Sequence, residues 1–264
     1  MAEGTQNMGA ASRPENVFEP SNTARAPYFV VAGGLGSGKT TLARALASQL
    51  GWTYTPESRQ AIHYLKDLFN EPNRWAFEAQ VTFITEKANR VLDCVSRREA
   101  IVLDRSFDED ARVFAEYFRQ SGYLDARSAA AYSSLFHLVT RVVPIPDAVL
   151  VCNCTPEIAF DRIASRGRPE DSSNSREFVE STYQLYAEWV KTAPYPLIFT
   201  LDSLVLDWRD SQVVRGIVNI LSRYQTDTTD ARSRGTDVEG LRFLPRDLTP
   251  LVIAELGRTC AGSR

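Results

Sequence analysis

The run Gly33-Gly34-Leu35-Gly36-Ser37-Gly38-Lys39-Thr40 constrains this chain more than any other feature. A short apolar stretch, Tyr28-Phe29-Val30-Val31-Ala32, precedes it, and Leu42, Ala45, Leu46 and Ala47 follow at helical spacing over 41–50. Strand, glycine loop and helix form the context in which such a run wraps an anion. Glycines let the backbone curl with its N–H groups inward, and the following helix points its positive end at the same place. Phosphate contacts are therefore expected along Gly33, Gly34, Leu35, Gly36, Ser37, Gly38, Lys39, Thr40 and Thr41. Lys39 is placed to reach the β- and γ-phosphates of a nucleoside triphosphate, and Thr40 to offer its hydroxyl to Mg²⁺. The bland alternative, a glycine turn without a ligand, does not require this context.

The rest of the chain alternates apolar strands with amphipathic helices. Strands are expected at 28–32, 52–54, 100–103, 147–152 and 197–201. Helices are expected at 41–50, 61–69, 74–97, 108–118, 126–142, 156–165, 178–191 and 205–222. Five such strands predict an α/β, three-layer, doubly wound fold with a five-stranded parallel sheet. Residues 1–27 lack periodicity and read as a disordered tail. One domain is expected over 28–223, followed by a polar, partly disordered extension at 224–264 with a short helix at 250–256.

A formal net charge of −3 argues against a nucleic-acid partner. No apolar run is long enough to span a membrane, and residues 1–27 show no secretory pattern, so a reducing cytoplasm is the expected setting. Cys152 and Cys154 lie two apart on a strand and read as structural thiols, because two histidines and four cysteines offer no metal-binding spacing.

A phosphate loop alone does not separate a kinase from a GTPase or a binding module. Glu57 closes the second strand and Asp104-Arg105 the third, at the carboxyl ends where an open α/β sheet holds its ligands. An acid one strand from the loop can take a proton from an attacking hydroxyl. An acid beside the loop can hold Mg²⁺, and an Arg there can neutralise a moving phosphoryl group. Arg162, Arg166 and Arg168 crowd a helix end before a polar stretch, as in a lid that closes on phosphates. Each of these, taken singly, also reads as a solvated loop or helix end.

In order along the chain, the glycine loop, Glu57-Ser58, the stretch 72–80, the stretch 104–114 and the Arg-rich lid resemble the deoxynucleoside kinases. These enzymes phosphorylate the 5′-hydroxyl of nucleosides, and the resemblance spans about 28–203. It implies a catalytic set of Glu57, Arg105 and Lys39, with Glu57 as general base. It implies a Mg²⁺ position at Thr40 and Asp104, and ATP, or another triphosphate, as donor, with Arg162, Arg166 and Arg168 around it. Gln80 matches the residue that hydrogen-bonds the nucleobase, and Phe114 the aromatic that stacks on it. Lys87 and Asp110 occupy the positions of a pair that, as Arg and Asp, marks members favouring an amino-bearing base, although a plain salt bridge between helices accounts for them equally. The family also implies a homodimer. Two positions depart from its pattern: Phe69 stands where a Tyr normally binds the sugar 3′-oxygen, and Asp171 where a Glu does. Both strike the same substrate oxygen, which raises the prospect of an altered sugar. A nucleoside monophosphate kinase of the thymidylate-kinase kind, and a nucleotide-binding regulatory module without transfer activity, are the rival readings.

Overall fold

The computed structural model describes residues 25–57, 59–167, 174–195, 197–233 and 246–261. Its core is a parallel sheet of β1 (Tyr28–Gly33), β2 (Thr53–Thr55), β3 (Ile101–Asp104), β4 (Ala148–Asn153), β5 (Ile198–Asp202) and β6 (Arg246–Asp247), in the order β2-β3-β1-β4-β5-β6. The five expected strands are present, and the sixth is added at the β5 edge, where Leu248 N–H donates to Thr200 O at 2.9 Å. The strands are near-continuous apolar runs because both faces of the sheet are covered. In β1, Tyr28, Val30 and Ala32 face one layer and Phe29 and Val31 the other.

The first layer contains α2 (Arg59–Asn70), α3 (Pro72–Ser96), α6 (Ala126–Val142) and α8 (Arg176–Thr192). It also holds a composite helix made of α4 (Phe107–Glu109), a π-helical turn (Asp110–Ala115) and α5 (Glu116–Gln120). The second layer contains α1 (Lys39–Leu50), α9 (Ser211–Ser233) and α10 (Thr249–Ala261). Helix α7 (Pro156–Arg166) packs with α8 around Ala159, Ile163 and Val179. Local chemistry accounts for the starts: Thr155, Ser175 and Asp125 cap α7, α8 and α6, and Pro72 and Pro156 open their helices where a missing N–H costs nothing.

Three stretches differ from the pattern-based expectation. The last long helix begins at Ser211 rather than 205, because Asp202, Asp207 and Asp210 accept from the N–H groups of Leu204, Arg209 and Gln212 and hold 203–210 in turns. The helix expected over 108–118 contains the π turn. The helix expected at 250–256 is longer and follows a strand. Chain order changes direction between β3-β1 and β1-β4, so the crevice beyond the carboxyl ends of β1, β3 and β4 is where a ligand site belongs.

Candidate active site

The glycine loop leaves β1 into that crevice. Gly36 has φ of 76° and a Cβ there would overlap the Ala159 carbonyl, so only glycine fits between the loop and α7. Gly38 caps α1 with φ of 90°, and a Cβ on it would lie 2.7 Å from the Trp208 indole nitrogen. No side chain caps α1, so its first N–H groups are left for an anion. The Ser37 hydroxyl is buried without a partner. A cradle of close-approach glycines, an uncapped helix and an orphan hydroxyl suits a phosphate chain.

Lys39 opens α1 and is buried; burial and the nearby Arg105 push its pKa down, against the raising effect of Glu57, Asp104 and Glu109. Thr40 and Thr41 follow in the first turn. Across the crevice, Arg105 sits at φ of 76° directly after β3, with its N–H tied to Val31 O at 2.9 Å. Its Nε lies 3.2 Å from Glu57 Oε1, an ion pair whose alignment falls short of a hydrogen bond. Burial raises the Glu57 pKa, but Arg105, Lys39, Lys87 and Arg166 outweigh it and hold the carboxyl below its ordinary value. Asp104 closes β3 almost fully buried; its Oδ2 accepts from Tyr54 OH at 3.0 Å, and its Oδ1 has no partner. A buried carboxylate oxygen without a donor suits a cation. Among the described residues no three His, Cys, Asp or Glu side chains cluster to cage a metal. Mg²⁺ uses few protein ligands and fills its shell with phosphate oxygens and water, so the one unpartnered Asp104 oxygen fits it.

The expected acceptor residues line α3 and the π turn. Gln80 is buried with its Oε1 lacking a donor. Lys87 Nζ donates to Ser106 O at 3.0 Å and pairs with Asp110, both side chains being buried. Burial pushes the Asp110 carboxyl up to about 6, against the lowering effect of Lys87 and Arg105. Phe114 carries the Arg105 guanidinium over its ring at 4.0 Å, so one face of the ring is taken by Arg105. Phe69 packs edge-on against Phe178 at 5.2 Å and has no hydroxyl to offer a sugar.

On the lid side, Arg162 is braced rather than free: it donates to Ser203 Oγ and Ser203 O at 2.9 Å each and to Gly36 O at 3.4 Å. Arg166 is exposed, yet lies near enough to Glu57 to lower its pKa. Arg168 and Asp171 lie outside the described residues.

Sequence motifs assign no role to three residues that position the site. Glu109 is fully buried; its Oε1 accepts from Gly33 N at 3.0 Å and from Tyr186 OH at 2.7 Å, and its Oε2 from Ser106 N. The spacing Ser106-x-x-Glu109 is a capping box and was the available signal. Tyr183 donates to Leu35 O at 2.9 Å and, with its ring against Gly34, braces the loop from α8. Tyr54 holds Asp104; nothing in the sequence marks it.

The fold and this site define a P-loop phosphotransferase: a phosphate cradle on one side of a crevice and a carboxylate–guanidinium pair on the other. The family description "Deoxynucleoside kinase" matches residues 29–221. The chain is 30% identical over 164 residues to deoxyadenosine/deoxycytidine kinase of Bacillus subtilis (strain 168), covering 61% of this chain and 76% of that one. It is 29% identical over 182 residues to deoxyadenosine kinase of Dictyostelium discoideum, covering 69% and 73%. The solved structure of deoxyadenosine kinase from M. mycoides with bound dATP shares the fold, with a TM-score of 0.64 at 22% identity over 74% of this chain and 99% of that one. The chain therefore belongs to the deoxynucleoside kinase family, phosphotransferases with an alcohol group as acceptor.

Proposed function

We propose that this protein transfers the γ-phosphoryl group of ATP to the 5′-hydroxyl of a deoxynucleoside with an amino-bearing base. The observation that carries the reading is the Glu57–Arg105 pair, which faces Lys39 across the crevice with Glu57 ionised. Glu57 accepts the 5′-hydroxyl proton as that oxygen bonds to the γ-phosphorus, and the bond from that phosphorus to the β–γ bridging oxygen breaks to release ADP. A depressed carboxylate suffices, because phosphoryl transfer through a loose transition state demands little base strength before the new bond forms. Arg105 holds Glu57 in place and, with Lys39, offsets charge on the moving group. When bound, Mg²⁺ held by Thr40 and Asp104 supplies further charge neutralisation on the phosphate oxygens.

For the base, Gln80 Oε1 is a buried acceptor without a donor, which an exocyclic amino group would supply. Asp110 is the second acceptor nearby. A thymine carbonyl facing the same atoms would leave two acceptors opposed, and the relatives named above act on deoxyadenosine and deoxycytidine. For the sugar, Phe69 withdraws one hydrogen bond worth about 1 kcal/mol, so nucleosides altered at the ribose belong among the substrates. Exposed Leu138 and Val142 on α6, and Val95 on α3, support a homodimer through the long helices. Thiols at Cys94, Cys152 and Cys154 suit a reducing cytoplasm.

The deciding experiment is a panel of deoxynucleosides, ribonucleosides, sugar-modified analogues and nucleoside monophosphates, with ATP and GTP as donors, read by product mass. Glu57→Gln should lower kcat ~10²-fold with ATP affinity retained; an unchanged kcat would refute Glu57 as base. Phe69→Tyr should raise kcat/KM for ordinary deoxynucleosides several-fold. A clear wild-type preference for those substrates, unmoved by Phe69→Tyr, would sink the altered-sugar reading.

A further inference from the structure

The segment 246–261 lies beyond the residues matched by the family description, yet it reaches the nucleotide cradle through a short chain of bonds. Thr249 Oγ1 accepts from Asp202 N–H at 2.9 Å, at the end of β5. Asp202 in turn accepts from Leu206 N at 3.0 Å with its carbonyl and from Leu204 N at 2.8 Å with its carboxylate. Those bonds shape the turn 203–210, and both ends of that turn touch the cradle. Ser203 receives two bonds from Arg162, whose third goes to Gly36 O. Trp208 lies against Gly38, the residue that starts α1. Leu248 and Val252 flank Thr249 and are fully buried in the same core as Trp208.

We propose that Thr249 is a positioning residue for the phosphate donor: by fixing the end of β5 it sets the turn that braces the glycine loop from beneath and Arg162 from the side. This rests on the reading of the glycine loop as the donor site. Valine matches threonine in shape but leaves the Asp202 N–H without its acceptor, so the substitution loosens the turn while keeping the packing.

The test is calorimetric titration of ADP, with KM measured separately for ATP and for the best acceptor nucleoside, in wild type, Thr249→Val and Thr249→Ser. Thr249→Val should bind ADP roughly fivefold more weakly and raise KM for ATP similarly, with KM for the acceptor unchanged; Thr249→Ser, which keeps the hydroxyl, should match the wild type. Unchanged ADP affinity in folded Thr249→Val overturns the proposal, as does a parallel rise in both KM values, which would mean general loosening. Hydrogen exchange on the wild type provides a second arm that no folding defect can spoil. ADP should slow exchange at 202–208 and at 248–252, and no protection at 248–252 overturns the proposal. Failure of the wild type to bind ADP or ATP would instead sink the donor-site reading, and this inference with it.

Discussion

Asp110 shows how a buried charge makes stability depend on pH. The folded protein holds its proton up to about pH 6, against an ordinary value of 3.8. Between those limits the folded state binds more protons than the unfolded one, so the contribution is full below the lower value and lost as pH rises through the upper. In Asp110→Asn that fall should vanish. The Tm of the variant should therefore rise relative to that of the wild type by several °C as pH increases over this window, at about 2–4 °C per kcal/mol for a chain of this size. Thermal unfolding monitored by circular dichroism at intervals from pH 4 to 7 measures it; parallel curves would refute it. Glu109 makes the opposite kind of case. Its carboxylate receives three donors, from Gly33, Ser106 and Tyr186. Glu109→Gln turns one acceptor into a donor facing donors and should cost about 1–3 kcal/mol, with Tyr186→Phe costing about 1. Denaturant melts of the two variants decide whether Glu109 ties the site together or merely fills space.

At the scale of elements, the readable parts were those whose local chemistry and long-range role agree. The glycine loop, the Thr155-Pro156 start of α7 and the apolar run of β3 each announce their own structure. The turn 203–210 does not, because Leu204, Val205 and Leu206 carry an apolar pattern suited to a helix while aspartates at 202, 207 and 210 capture the N–H groups a helix would need. The π turn at Asp110–Ala115 was equally hidden, since no residue type marks one extra residue in a helical turn; its mark is functional, as π turns gather at sites. Here it carries Asp110 and Phe114, two of the expected acceptor residues. The Glu57–Arg105 ion pair was legible as a candidate because each residue follows a strand end. Arg162 reads from the sequence as an expected donor-side residue, but its bracing by Ser203 depends on a fold contact across 41 positions. The interlock between α7 and the loop also gives a prediction. Gly36→Ala should abolish ADP binding in calorimetry while far-UV circular dichroism stays native. Its methyl group has to displace either the loop or the Ala159 carbonyl, and the left-handed φ is strained for alanine. Retained affinity would mean that the loop can shift without harm.

Across the whole molecule, the alternation of strands and helices was enough to foresee one doubly wound sheet, because a parallel sheet buried on both faces writes itself as apolar runs. The edge was harder to foresee. β6 is two residues long and its side chains, Arg246 and Asp247, are polar, so nothing in its composition distinguishes it from a loop. Its role comes from Leu248 and Val252, which enter the second-layer core shared with Ile217 and Phe199. Arg223 adds an ion pair to Glu255 at 2.9 Å between α9 and α10. We therefore propose that 246–261 is part of the kinase domain rather than an appendage to it. Leu248→Ala should lower global stability by about 2–5 kcal/mol, the range for deleting a fully buried leucine side chain. The loss should appear as one shifted transition, with secondary structure and tryptophan fluorescence melting together, since Trp208 shares that core and the donor-side turn. If the segment were an appendage, the variant would instead melt 246–261 early and leave the main transition and ADP affinity where they were.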